Sequence, residues 1–397
     1  MKKFLSTFVE YFKIVVCGII VNITSLLPRN RKMIIFGAWF GQKYEDNSRA
    51  LYEYVINNRK DIKAVWITAN KDLLDKMKSL GYPVYLNTSW KAKFYALRAM
   101  YFISVVMYEC RDAGFNLARY MGGVIIINLW HGVPLKKIAY DDVRHNQLMN
   151  TRRRRLIRFF ERFPYRKTYH IATSPRIVEI YKSCFRSDNK HVLNLGQARN
   201  DYFYTQHENT IRKKFKGKKL ILYMPTHRKE GKTFMNIYEL LNLKAINDIC
   251  ERYNAVFLIK KHYFHSKEKT IGYEYNNIIE ITQEKFNPQE LLDASDVLVT
   301  DYSSCFIDYL LLDRPILFYC YDLEDYLAND RDMYFDYRSI APGGICENKE
   351  VFCLVLEDIL QGKDMFANKR KEVKNFFYSE ENQCSVSKKQ IDFILDL

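Results

Sequence analysis

The chain lacks the residue patterns that hold most metals, disulfides and dinucleotides. Its nine cysteines, from Cys17 to Cys384, are odd in number and form no CxxC pair. That excludes a disulfide framework or cysteine zinc site and fits reduced thiols in a cytoplasmic chain. The eight histidines include no HExxH, so no metal cage is expected. No GxGxxG follows the first apolar strand, which removes the support for dinucleotide binding. No repeat of ~20–50 residues is visible, which excludes a solenoid. Negative charge is scarce: 46 Asp and Glu face 62 Lys and Arg, a formal net charge of +16. Such a balance calls for a polyanionic partner: nucleic acid, an anionic membrane face or a phosphate-rich substrate. A long uncharged run is missing too. The longest, Ile14 to Pro28, is shorter than the ~20 residues of a spanning helix, and no small-residue cleavage site follows it. Residues 1–30 therefore read as a helix lying in the cytoplasmic membrane face. The competing reading packs it on the protein itself.

What is present is alternation. Apolar strands at Lys32–Gly37, Lys63–Thr68, Pro83–Leu86, Tyr101–Val106, Gly123–Leu129, Tyr169–Thr173 and His191–Leu195 are separated by helical stretches. That pattern implies βαβ units and a parallel sheet covered on both faces. The polar segment Thr205–Lys219 leads to a second alternation at Lys219–Met224, Ala255–Lys260, Asn277–Ile281, Val297–Thr300 and Ile316–Phe318. A helix is expected over Met235–Tyr253 and a turn at Pro342-Gly343-Gly344. The length accommodates two cores. The fold class is α/β, with two doubly wound domains facing a cleft, at 31–205 and 206–397.

Strand ends carry the chemistry. In Asn128–Lys137, NLWHGVPLKK, the strand stops at Leu129 and leaves His131 on the rim. Gly132 beside it allows close backbone approach, and Lys136 and Lys137 follow as phosphate-facing cations. A rim histidine suits a general base; a structural histidine bonded to a carbonyl is the commoner case. Tyr223–Arg228, YMPTHR, ends another strand with the Thr226 hydroxyl and the Arg228 fork. Lys260-Lys261-His262 ends a third. Thr300-Asp301-Tyr302-Ser303-Ser304 ends a fourth and opens a helix, whose first N–H groups favour an anion. Together these loops describe a diphosphate pocket, to which Arg314 adds a cation. The run Arg152–Lys167 interleaves Arg152, Arg153, Arg154, Arg155 and Arg158 with Phe159 and Phe160. It reads as a basic amphipathic helix on anionic lipid rather than a grip on single-stranded nucleic acid.

These loops, in this order, resemble the CDP-glycerol glycerophosphotransferases of teichoic-acid and capsule synthesis. WHGVPLKK at 130–137 is similar to the family's WHGTPLKK. Leu195–Asp201, LGQARND, is similar to LGxPRND and brings in Arg199. YMPTHR is similar to APTWR, and Lys260–His262 to the family's basic-x-His. TDYSSCFIDYLLLDRPILFY follows the family pattern nearly residue for residue, and MIIFGAWFGQKYEDNSRALYEYV at 33–55 resembles its first strand and loop.

The resemblance implies a glycosyltransferase-B-like pair of Rossmann domains, held peripherally on the cytoplasmic face of a bacterial membrane. It implies transfer of glycerol phosphate from CDP-glycerol to a lipid-linked or polymer acceptor, with release of CMP. His131 would deprotonate the acceptor and His262 would sit near the leaving diphosphate. Gly132, Lys136, Arg199, Thr226, Arg228, Lys260, Thr300, Ser303, Ser304 and Arg314 would contact substrate, and Asp301 would shape its loop. No cofactor is firmly implied; Asp301 alone keeps Mg2+ in play. CDP-ribitol or another activated donor is the nearest rival, a nucleic-acid-binding protein the distant one, and a scaffold with a dead site the third.

Overall fold

The computed structural model describes residues 2–106, 117–161, 167–226, 228, 237–260, 275–281, 286–329 and 332–397. The chain divides into two units. Unit 1 is Met1–His131, Ile138–Asp201 and Ser379–Leu397; unit 2 is Gly132–Lys137 and Tyr202–Tyr378.

Unit 1 contains β1 (Asn30–Phe36), β2 (Lys63–Thr68), β3 (Val84–Leu86), β4 (Ala99–Ser104), β5 (Ile125–Asn128), β6 (Thr168–Ala172) and β7 (Val192–Asn194). They form a parallel sheet in the order β3-β2-β1-β4-β5-β6-β7. Its helices are α1 (Lys2–Ser25), α2 (Asp46–Asn58), α3 (Lys71–Ser79), α4 (Trp90–Arg98), α5 (Val143–Met149), α6 (Arg152–Glu161) and α7 (Pro175–Phe185). Side chains alternate across a strand. Ile34 and Phe36 thus meet Leu51, Tyr52 and Val55 of α2, while Ile35 meets Ala92 and Ala96 of α4 on the other face.

Ser379–Leu397 belongs to this unit rather than to a contiguous domain running to the C-terminus. Val386, Ile391 and Ile394 of the helix Val386–Asp396 are buried in the α2 face of the core. The Asp201 carboxylate accepts from the Val386 and Ser387 amides, both at 2.7 Å, which satisfies donors that a helix start leaves open.

Unit 2 contains β8 (Lys219–Met224), β9 (Ala255–Lys260), β10 (Ile278–Ile281), β11 (Val297–Thr300), β12 (Ile316–Tyr319) and β13 (Gly344–Cys346). The parallel order is β10-β9-β8-β11-β12-β13. The two units are thus both Rossmann-like. In each sheet the strand order reverses once, between β1 and β4 and between β8 and β11. Open α/β sheets bind ligands beside the strand C-termini at such a reversal.

Three local expectations change. The helix expected over 235–253 is broken into Ile237–Leu240 and Leu243–Arg252, because Asn242 caps the second piece through the Ala245 amide. The Pro-Gly-Gly turn runs straight into β13. There Gly343 lies so near the Ile316 carbonyl that an added Cβ would be 2.0 Å from its oxygen. The helix after Ser304 is short, Cys305–Tyr309 continued by a 3-10 turn, so its dipole is a minor source of anion affinity.

Helix α1 packs on unit 1 at its C-terminal end. Thr24 donates its hydroxyl to the Arg119 carbonyl at 3.0 Å, and Arg29 donates to the Ala96 carbonyl at 2.6 Å. A Cβ on Gly122 would meet the Val21 carbonyl at 2.0 Å. α1 also packs against α6, where Arg153 pairs with Glu10 at 2.6 Å. Gly122→Ala should therefore displace α1, lowering stability by ~1–3 kcal/mol. Thermal unfolding and faster proteolysis within residues 2–25 would report it.

Candidate active site

At the reversal of sheet 1, three loops converge on His131. The β5 loop carries it. The β4 loop supplies the Val105 carbonyl, 2.8 Å from His131 Nδ1. A carbonyl only accepts, so Nδ1 carries the proton and Nε2 is the basic nitrogen. The β1 loop supplies Trp39, whose ring centroid lies 4.9 Å from the imidazole; Trp130 stacks on the imidazole at 4.3 Å. Desolvation between these rings lowers the His131 pKa from the ordinary 6.5. The Asp46 carboxylate and the Val105 bond oppose that shift, and Arg199 adds to it. The imidazole is therefore neutral at pH 7.

The backbone here is strained and held. Trp39, Phe40, Asp46 and Trp130 all have left-handed φ, between 51° and 65°, and Gly132 has φ 135°. A bulky residue there costs on the order of 1–3 kcal/mol. At Trp130 two hydrogen bonds offset the cost, each worth roughly 0.5–1.5 kcal/mol. Asn47 Nδ2 donates to the Trp130 carbonyl at 2.9 Å, and the Trp130 amide donates to Asn128 Oδ1 at 3.1 Å. With Oδ1 so engaged, Asn128 Nδ2 faces His170 Nδ1 at 3.0 Å. His170 must accept, and burial holds it neutral by lowering its pKa to about 3.

Arg199, expected to contact substrate, ties this loop cluster together through one of its guanidinium nitrogens. Its Nη1 reaches Asp46 at 2.5 Å and the His131 carbonyl at 3.2 Å.

At the reversal of sheet 2, the β8 and β11 loops are bonded together. Asp301, fully buried, accepts from the Thr226 amide at 2.8 Å and from Arg228 Nη1 at 2.9 Å. With one bond to each oxygen, it ties the β8 loop to the β11 loop. Arg228 also donates to the Thr226 carbonyl and forks onto Asp322 at 2.6 and 2.9 Å. Its guanidinium lies over Tyr302, Tyr321 and Tyr326. Burial disfavours its charge, but Asp301 and Asp322 outweigh burial and push its pKa up. Arg228, expected on the diphosphate, is thus committed to two carboxylates.

Thr300 likewise donates to the Met224 carbonyl at 2.8 Å, tying β11 to β8. The Thr226 hydroxyl, in contrast, is buried and has no hydrogen-bond partner among the described residues. Lys260 ends β9, 9% exposed. Ser303 Oγ accepts from the Cys305 amide at 3.4 Å, and Ser304 makes no side-chain cap. Arg314 lies at the opposite edge. It donates to the Asp293 and Ser295 carbonyls, which precede β11, so it is at the strands' N-terminal ends and away from these loops. Lys136 belongs to unit 2, where it bridges Met333 and its ammonium lies 5.0 Å over Tyr326. His262 falls outside the described residues.

The profile of the family described as CDP-Glycerol:Poly(glycerophosphate) glycerophosphotransferase matches residues 19–395. This chain belongs to that family. The glycerophosphotransferase is 30% identical over 351 residues to the teichoic acid poly(glycerol phosphate) polymerase of Bacillus spizizenii, covering 84% of this chain and 85% of that one. It is 27% identical to the teichoic acid glycerol-phosphate transferase of Staphylococcus aureus, over 90% of each chain. It is also 27% identical to the teichoic acid ribitol-phosphate primase of Bacillus spizizenii, over 94% of this chain and 93% of that one. A solved structure of the wall teichoic acid polymerase TagF, a histidine variant soaked with CDPG, superposes with a TM-score of 0.73 at 25% identity, over 100% and 97% of the two chains. The glycerophosphotransferase is thus an enzyme of polyol-phosphate transfer in teichoic-acid synthesis.

Sequence reasoning gave no role to Trp39, Asp46, Asn47, Asn128, His170 or Asp322. The signal for Asp46-Asn47 was their position between a strand end and a helix start, which reads equally well as an ordinary cap. Breaking the Arg228 cluster tests the tie. Arg228→Met leaves Asp301 buried and uncompensated and should cost ~3–5 kcal/mol in urea unfolding. A loss below ~1 kcal/mol, the range of exposed ion pairs, would show that the guanidinium does not hold these loops.

Proposed function

We propose that this chain transfers glycerol phosphate from CDP-glycerol to an acceptor hydroxyl, releasing CMP, on a lipid-linked saccharide or a growing polyol-phosphate chain. The observation that carries the reading is the bond from His131 Nδ1 to the Val105 carbonyl, which makes Nε2 the unprotonated nitrogen of a histidine on the C-terminal rim of sheet 1. Nε2 takes the acceptor proton as the acceptor oxygen attacks the glycerol-bearing phosphorus. The bond from that phosphorus to the CMP oxygen breaks, and the electron pair leaves with CMP. Such transfer relies on positioning and charge neutralisation more than on covalent help. In unit 2 the Thr226 hydroxyl, which has no hydrogen-bond partner among the described residues, Lys260 and the hydroxyls of Ser303 and Ser304 are the donor-binding groups. His262, which lies outside the described residues, is the further donor-side group that the family resemblance implies. Arg228 and Asp301 act by holding the loops that present these hydroxyls.

CDP-ribitol is the second reading, supported by the similarity to the ribitol-phosphate primase.

We place the enzyme peripherally on the cytoplasmic membrane face. Phe8, Phe12, Val16, Ile19 and Ile23 recur at helical spacing along α1 and are all exposed. Residues 7–25 form a helix long and apolar enough to cross a membrane, longer than the uncharged run Ile14–Pro28 from which a non-spanning helix was expected. Arg152, Arg153, Arg155 and Phe159 of α6 are exposed beside α1, a combination that binds anionic lipid. Arg158 and Phe160 have side chains outside the described set.

CMP release from CDP-glycerol and CDP-ribitol, with detergent-solubilised lipid-linked acceptors, tests the reaction and chooses the polyol. His131→Ala should keep donor affinity and lose turnover by ~10²–10⁴-fold; equal loss of both would sink the base assignment. The base works neutral and its pKa is lowered, so the acid limb of turnover should lie below the ordinary histidine range. Phe12→Glu with Ile19→Glu should weaken flotation with anionic vesicles while leaving CMP release in detergent intact.

A further inference from the structure

We propose that Asp46 and Asn47, the adjacent pair that opens α2, are positioning residues that aim His131 and stabilise its protonated form during transfer. This rests on the reading of His131 as the base. The two side chains act on different parts of the same loop. Asp46 holds the rings and the charge. Its Oδ2 accepts from Trp39 Nε1 at 2.7 Å, which fixes one of the two indoles that bracket the imidazole. Its Oδ1 accepts from Arg199 at 2.5 Å, and the same guanidinium nitrogen donates to the His131 carbonyl at 3.2 Å. Asn47 holds the backbone. Fully buried, it donates to the Trp130 carbonyl at 2.9 Å, and its Oδ1 accepts from the Arg199 amide at 3.0 Å. The residue it grips is the left-handed Trp130 immediately before His131.

The charge argument follows from what faces the imidazole. Trp39 from the β1 loop and Trp130 from the β5 loop cover its faces and carry no charge. Val105 beyond β4 contributes a carbonyl. Arg199, from the turn after β7, is cationic and disfavours an imidazolium. Asp46 is the carboxylate that favours it. When Nε2 takes the acceptor proton, the positive charge forms in a desolvated bracket beside a guanidinium, and the Asp46 carboxylate compensates it. A misplaced base also loses the alignment on which transfer depends, and small displacements are costly.

The test uses the full-length enzyme, CDP-glycerol with the lipid-linked acceptor, and histidine-labelled protein in which the His131 signal is assigned by its loss in His131→Gln. Asp46→Asn keeps the size and removes the charge. The His131 titration midpoint should fall, the acid limb of turnover should move to lower pH, and kcat should drop roughly 10²-fold, with KM for CDP-glycerol held within about twofold. Asn47→Ala should lower kcat similarly and disturb the Nδ1-protonated tautomer, again with donor affinity kept. Unchanged midpoint, tautomer and kcat in both variants would overturn the proposal. So would a parallel loss of donor affinity, which marks a merely structural role. A midpoint that moves with kcat unchanged would leave the Asp46 contact standing and overturn the base reading beneath it.

Discussion

Parallel pairing sets what each unit can do. When all strands of a sheet point one way, their C-terminal ends share one rim, and the loops leaving them become neighbours however far apart they lie in the chain. In unit 1 this brings Trp39, Asp46, Val105, His131 and Arg199 within contact of one another. In unit 2 it brings together Thr226, Arg228, Asp301 and Asp322. Arg314, in the same motif as Asp301, is excluded for the same reason: it sits before a strand rather than after one.

Desolvation decides how the charges on these rims are used. The chain carries a large excess of cations, yet Arg199 and Arg228 are matched by Asp46, Asp301 and Asp322. A buried guanidinium without a carboxylate would be far more costly than the pair it forms. The excess positive charge therefore falls elsewhere, including the exposed arginines of α6. The rims also hold groups without formal charge: an imidazole whose pKa burial lowers, and a threonine hydroxyl with no hydrogen-bond partner among the described residues. Strain is used similarly. Trp130 holds a left-handed backbone because Asn47 and Asn128 grip it from both sides, and His131 inherits that direction.

The alternation of short apolar strands with helical stretches was readable because period two and helical period are local properties of the chain. Hence β1 to β12 lie where runs such as KAVWIT and AVFLIK predict them. β13 was hidden because three residues after Pro342-Gly343 carry no period. The return of Val386–Asp396 to unit 1 was hidden because it depends on the Asp201 cap and on a core face that includes α2, near the start of the chain. His131 and Thr226 were legible as residues just past strand ends, and they follow β5 and β8. Arg199, Arg228 and Thr300 were legible as polar groups but not as ties, since a sequence does not show which carboxylate or carbonyl lies within 3 Å.

The sequence by itself determined the α/β class, the strand ends on which chemistry would sit, and the family, because motif order and hydrophobic period are written along one dimension. Tertiary structure alone decided which cations are neutralised, which nitrogen of His131 carries the proton, and that Asp46 and Asn47 belong to its setting. Those depend on burial and on hydrogen bonds between residues far apart in the chain, whose energies exist only once water has been displaced and the loops have met.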